Sequence, residues 1–173
     1  MMKQLLSSLL LAGGVLSIIP GLEVLAQSGN SGITIFSGVE RENVLDYRLD
    51  FDGQRGRWDR YRLRIPSKKL PQGATKFRVS YPDYYGGRFD TDKIEVRIDG
   101  ESQPLNDVVW DQEGNFIAID LEEPLEPEQK VELVFSNVKN PRKPGTFYFN
   151  GQVTPAEGVN IRQNLGTWII DID

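Results

Sequence analysis

The 173-residue chain contains neither histidine nor cysteine, and that absence shapes every chemical reading of it. Without histidine there is no Ser-His or Cys-His nucleophilic pair and no ordinary general base. Without either residue, zinc and soft metals lose their usual ligands. No Gly-x-Ser-x-Gly elbow and no phosphate-cradling glycine loop is present. Chemistry then falls to carboxylates. Asp46, Asp50, Asp52 and Asp59 lie along one stretch, and Asp83, Asp90 and Asp92 along another. Hard oxygen donors can hold calcium, and a pair of carboxyls can hydrolyse a glycosidic bond. Asp83, Asp90 and Asp92 are the metal candidates, with calcium as the ion. Yet Asp50-x-Asp52-Gly53 lacks the downstream glutamate of a calcium loop, and aspartates in such places also serve as turn formers. No cofactor is expected, and a non-enzymatic protein is favoured over a carboxylate-based hydrolase.

Two binding candidates stand apart from catalysis. Arg55, Arg57, Arg60, Arg62 and Arg64 form the densest basic run, and the last three alternate with Tyr61, Leu63 and Ile65, so period two places those three on one strand face. They either form a patch for an anionic partner or pair with acidic neighbours such as Glu95. The second candidate is the run Tyr81-Pro82-Asp83-Tyr84-Tyr85-Gly86-Gly87-Arg88-Phe89. Its Tyr84, Tyr85, Arg88 and Phe89 could stack on sugar rings or anchor a protein partner, or the rings fold back and plug one end of the domain. Trp58, Trp110 and Trp168 fall in strand patterns and are expected in the core.

The elements that must position these residues are strands. Alternation recurs at Phe77-Val79-Tyr81, Ile94-Val96-Ile98, Ile117-Ile119-Leu121, Val131-Leu133-Phe135 and Trp168-Ile170-Ile172. One buried and one wet face of this kind is antiparallel sheet behaviour. Asp52-Gly53, Asp99-Gly100 and residues 111–115 supply turns, and Pro124, Pro127, Pro141, Pro144 and Pro155 mark loop or edge positions. The pattern predicts an all-β fold, an antiparallel, immunoglobulin-like β-sandwich of about 8–10 short strands.

The first 26 residues read as a secretory signal: Lys3, an apolar run from Leu5 to Ile19, the breaker Pro20-Gly21, then Val24-Leu25-Ala26 before cleavage at Gln27. The competing reading, a retained anchor, wants about 20 apolar residues, and this run is shorter and interrupted by Gly13-Gly14. No twin-arginine pair precedes it, so the general secretory route is expected. Residues 27–32 form a flexible leader, and 33–173 a single domain. With a net charge of −5, nucleic acid is not an expected partner, and after cleavage no segment is long enough to stay in a membrane.

Trp58-Asp59-Arg60-Tyr61, Tyr81-Pro82-x-x-Tyr85 with Phe89-Asp90, Ser136-Asn137-Val138-x-Asn140-Pro141, Gly145 before Phe147-Tyr148-Phe149, and Gly166-Thr167-Trp168 together resemble an uncharacterised family of exported cyanobacterial proteins, a domain of unknown function. The likeness runs from about residue 33 to the end, although Phe147-Tyr148-Phe149 spaces its aromatics more tightly than the family pattern. The resemblance implies a periplasmic or thylakoid-lumen address and supplies no activity, cofactor or catalytic residue. The expectation is a non-enzymatic exported module acting through a protein or envelope component. The alternative is a carbohydrate-binding domain using Tyr84, Tyr85 and Arg88.

Overall fold

The computed structural model describes residues 39–159 and 161–173. The expected signal segment and leader lie outside the described residues. Ten strands follow one another: β1 (Tyr47–Leu49), β2 (Trp58–Ile65), β3 (Ala74–Ser80), β4 (Ile94–Ile98), β5 (Glu101–Gln103), β6 (Leu105–Asp111), β7 (Phe116–Leu125), β8 (Val131–Lys139), β9 (Gly145–Thr154) and β10 (Gln163–Ile172). They build two five-stranded sheets, ordered β1-β2-β8-β4-β5 and β10-β9-β3-β7-β6. Every strand pairing is antiparallel. This is the antiparallel, immunoglobulin-like sandwich that the alternation predicts. The described helical pieces are three-residue 3-10 turns, and no helix of the described residues is long and apolar enough to cross a membrane.

The alternating apolar positions meet between the sheets. Tyr61, Leu63, Ile65, Leu133 and Phe135 of the first sheet are buried, as are Phe77, Val79, Ile117, Ile119, Phe149 and Ile170 of the second. Burying each such side chain stabilises the fold by about 1.5–3 kcal/mol. Trp168 is fully buried, its indole N–H donates to the Arg64 carbonyl across the sandwich at 3.2 Å, and Gly151 makes room for it. A Cβ on Gly151 would lie 2.7 Å from the ring. Asp99 and Gly100 both take positive φ, 50° and 91°, the two-residue turn that matches strand twist in a hairpin.

Two tryptophans depart from expectation. Trp110 is half-buried and donates to the Tyr81 hydroxyl at 2.6 Å. Trp58, expected in the core, is 55% exposed. It opens β2 on the outward phase of the pleat, and the next residue, Asp59, takes the inward place.

Candidate functional site

One end of the sandwich gathers most of the residues singled out by sequence. It is formed by the β1–β2 loop, the β3–β4 loop, the β8–β9 loop and the β6–β7 turn, and a buried polar knot organises it. Asp59 is 1% exposed and Asn140 is 2% exposed. The Asp59 carboxyl oxygens accept from the backbone N–H groups of Phe51 at 3.0 Å, Gly53 at 2.9 Å and Arg60 at 2.7 Å. The Asn140 amide donates to the Gln54 carbonyl at 2.9 Å and toward Asp59 at 3.4 Å. Its oxygen accepts from the Tyr61 hydroxyl at 2.6 Å, and that hydroxyl lies 2.8 Å from the Tyr85 hydroxyl. Backbone bonds complete the lock, Gly56 N–H to the Pro141 carbonyl at 2.8 Å and Asn140 N–H to the Arg57 carbonyl at 2.9 Å.

Gly53 is required within the knot. Its φ is +65°, and a Cβ there would fall 2.7 Å from Leu49 and 2.9 Å from the Asp171 carbonyl. Burial pushes the Tyr61 and Tyr85 phenols well above their ordinary range, so both hold their protons at neutral pH. An acid, an amide and two phenols in a chain have the composition of a catalytic relay. With their side chains sealed inside, they act as a clamp between loops.

The aromatic loop divides between plug and surface. Tyr85 packs edge-on against Phe147 and Phe149, with centroids 5.2 and 4.9 Å away, and stacks on Phe89 at 5.5 Å. Phe89 in turn meets Trp110 at 5.5 Å and Phe135 at 5.9 Å. Tyr85 and Phe89, named as binding candidates, are therefore core residues. A turn bond from Tyr85 N–H to the Pro82 carbonyl at 2.9 Å aims Tyr85 inward. Tyr84 faces out, 65% exposed, with its ring 5.8 Å from that of Phe147. Arg88 is exposed, and its backbone pairs with Lys139. The Tyr84–Tyr85–Arg88 sugar platform is not assembled, because its middle ring lies inside.

The arginine stripe lies on the outer face of the first sheet, as its period requires, and is largely paired. Arg62 reaches Asp50 and Glu132 at 3.0 Å each. Arg64 reaches Asp46 at 2.7 Å and Glu132 at 3.4 Å. Arg60 donates to the Ser136 hydroxyl at 2.9 Å and lies 3.5 Å from Asp50. Glu95, the acid expected opposite the stripe, pairs with Arg97 at 2.8 Å instead. Asp50 also meets Arg48 at 3.4 Å. Burial pushes the Asp50 carboxyl up, but the hydrogen bond and charge of Arg62, helped by Arg48 and Arg60, reverse this and hold it below the usual carboxylate range.

The calcium candidates do not converge. Asp90 accepts from the Asn137 amide at 2.7 Å, and among the described residues no group of three or more acids could hold a metal ion. Asp83 and Asp92 are exposed.

What sequence reasoning missed is that Arg55 and Arg57 of the basic run are joined on the outside of the clamp by the cations after β8. Residues 54–58 and 139–143 contain Arg55, Arg57, Lys139, Arg142 and Lys143 and no carboxylate. The clamp holds these two segments side by side, and β2–β8 register pairs Trp58 with Lys139, whose ammonium sits 4.9 Å over the indole ring. Among the described residues, none of these five cations or Arg88 forms a salt bridge. Phe51, exposed on the same loop, adds a second ring. Carboxylates also lie at this end, Asp52 and Asp173 beside the β1–β2 loop, Asp173 through backbone bonds with Gly53 and Arg55. Asp83, Asp90 and Asp92 lie on the β3–β4 loop, and Asp111 and Glu113 at the β6–β7 turn, so the basic surface is confined to the two clamped segments and the adjoining Arg88. The available signal was the pair of runs Arg-x-Arg-Trp and Lys-x-Pro-Arg-Lys, which only strand pairing brings together. At the other end, a depression of about 640 Å³ carries mixed charge, with Arg41, Lys68 and Lys130 beside Glu42, Asp46 and Asp99.

Several solved structures are similar to the chain at low identity. BslA, a bacterial hydrophobin, is 14% identical, with 75% of this chain and 97% of that chain covered and a TM-score of 0.47. The collagen-binding domain of a Staphylococcus aureus adhesin is 12% identical over 74% of this chain and 95% of that one, TM-score 0.43. An uncharacterised Nocardia farcinica protein with an immunoglobulin-like fold is 11% identical over 75% and 97%, TM-score 0.39. Likeness at such identities says nothing of ligand or activity. No curated protein matches the chain in sequence. The motif residues that build the clamp and plug, from Trp58 through Gly166-Thr167-Trp168, lie within residues 33–172, which match the model of the family described as Protein of unknown function (DUF2808), and the chain belongs to that family.

Proposed function

We propose that this chain is an exported, non-enzymatic module that docks an acidic protein surface through its clamped, basic loop end. The observation that supports it is the set of cations without salt-bridge partners among the described residues, Arg55, Arg57, Arg88, Lys139, Arg142 and Lys143, around exposed Trp58 and Phe51. Arginine and aromatic side chains of this kind anchor interfaces. The Asp59–Asn140 knot fixes the loops before any partner arrives, which lowers the ordering cost of binding. Cleavage after Ala26 would release the module into the periplasm or thylakoid lumen, the address that the signal-like first 26 residues and the family resemblance support.

The test combines fractionation with capture. The native chain is expected in the periplasmic or lumenal fraction, beginning at Gln27, and a cytoplasmic chain that keeps residues 1–26 would end the reading. A partner retained at low salt is expected to elute at about 0.5 M salt, where the Debye length is only a few ångströms. Retention is expected to fall at least tenfold with Arg55→Glu/Arg57→Glu/Arg142→Glu, three exposed positions whose exchange leaves the clamp intact. Equal retention by that variant would remove the docking end from the function.

A further inference from the structure

A second cationic feature lies on the other sheet, away from the docking end. Along β3 the inward residues are Phe77 and Val79, leaving Lys76, Arg78 and Ser80 on the outer face. Register places Arg78 between Gln152 of β9 and Ala118 of β7. The small Ala118 side chain keeps the floor low. Two adjoining depressions, about 360 and 530 Å³, are lined in common by Arg78, Gln152 and Arg162. Lys76 and Thr154 extend one, Ser80 and Ile161 the other. Together they follow β3 for about 13 Å, four residues of strand rise.

The charges here are unbalanced. Lys76 is neutralised by Asp120 at 3.1 Å, but among the described residues neither Arg78 nor Arg162 has a salt-bridge partner. The Arg78 guanidinium is laid over the Phe116 ring, 3.4 Å from its centroid. Stacking fixes the plane of the head while leaving its edge N–H groups for a ligand. Burial, and next the charge of Arg162, pull Arg78 below the usual guanidinium range, with the charge of Asp111 opposing them more weakly. Two mutually repelling guanidinium groups over one hollow are relieved by an oxyanion between them, which each can grip with two parallel hydrogen bonds.

We propose that Arg78 and Arg162 form a binding site for an acidic oligosaccharide, its carboxylate or sulfate group held between the two guanidinium groups. The neutral rim favours this ligand. Gln152, Ser80 and Thr154 both donate and accept, which suits sugar hydroxyls on either side of the acidic group. The open trough along β3 suits an extended chain. The site does not depend on the docking end.

Calorimetry on the full chain tests the assignment with four probes of defined chemistry: trigalacturonate, a sulfated galactotriose, neutral galactotriose and hexaglutamate. At least one acidic trisaccharide is expected to bind ten times more tightly than the neutral one. Whichever acidic sugar binds better identifies carboxylate or sulfate as the anchoring group, and either supports the site. Arg162→Ala, in an exposed loop, is expected to cost at least tenfold. Arg78→Lys keeps the charge but loses the paired donors, and a similar loss is expected. Arg55→Glu/Arg57→Glu/Arg142→Glu is expected to change nothing, which separates this site from the docking end. Equal affinity for neutral galactotriose, unchanged affinity in Arg162→Ala, or hexaglutamate binding as well as the acidic sugars would overturn the proposal.

Discussion

At the scale of single residues, the loop end depends on one amide. Asn140 satisfies the Tyr61 hydroxyl and the Gln54 carbonyl and approaches the Asp59 carboxylate. Removing it takes a partner from three groups, two on β2 and one on the β1–β2 loop, and each unsatisfied buried polar group costs about 1–3 kcal/mol. Tyr85 makes a different comparison, because without its hydroxyl the Tyr61 hydroxyl still donates to Asn140. Asn140→Ala is therefore expected to destabilise by about 2–4 kcal/mol and Tyr85→Phe by about 1 kcal/mol, read from urea midpoints at constant slope. Equal losses would deny Asn140 its place at the centre of the clamp. These roles were only partly legible in the sequence. Tyr84 and Tyr85 are neighbours of identical chemistry, and the Pro82 turn alone decides which enters the core. Trp58 and Asp59 invert the ordinary preference for tryptophan inside and aspartate outside, because three backbone N–H groups converge where the Asp59 carboxylate sits. No local pattern signals those donors, two of which come from the β1–β2 loop and one from Arg60 of β2 itself.

At the scale of elements, the alternation and turn dipeptides sufficed for the strands and their faces, but not for which strands are neighbours. β2 pairs with β8, about seventy residues away, and that pairing sets Trp58 beside Lys139 and Arg62 beside Val134. It also explains why the arginine stripe finds Glu132 rather than Glu95. Val134 points outward yet is fully buried, between Arg62 of β2 and Glu95 of β4 in the register, since long charged side chains can cover apolar surface with their stems. Asp50 is the hinge of this charged face, with three arginines around it. Its folded pKa is lowered relative to the unfolded chain, so its contribution is fully present above the unfolded value, about pH 4. That contribution is lost as pH falls toward the folded value. Asp50→Asn is thus expected to flatten the loss of stability between pH 5 and pH 2 relative to the parent. Parallel stability curves over that range would mean that the arginines leave Asp50 energetically untouched.

At the scale of the whole molecule, a net charge of −5 conceals a strong segregation. Between Glu101 and Glu128 the chain carries nine carboxylates and no lysine or arginine. They fall on β5, β6 and β7 and their connections, and among the described residues only Asp120 of these acids forms a salt bridge. The clamped loops are basic, and β1 and β5 lie on opposite edges of the first sheet. A molecule polarised in this way presents to a second copy the acidic surface that its loop end is proposed to recognise. The Debye length is about 30 Å at 0.01 M salt and about 10 Å at 0.1 M, so attraction between unlike regions of two copies is felt in the first condition and screened in the second. Sedimentation velocity at equal protein concentration is expected to give a larger weight-average coefficient at 0.01 M than at 0.15 M salt. Arg55→Glu/Arg57→Glu/Arg142→Glu raises the net negative charge and removes the basic end together, and is expected to erase the difference. Glu122→Gln/Glu123→Gln makes the molecule less negative, so general repulsion alone would increase association in that variant, whereas pairing with the basic end predicts a decrease. A coefficient that does not change with salt in the parent chain would leave the charge segregation without an intermolecular role.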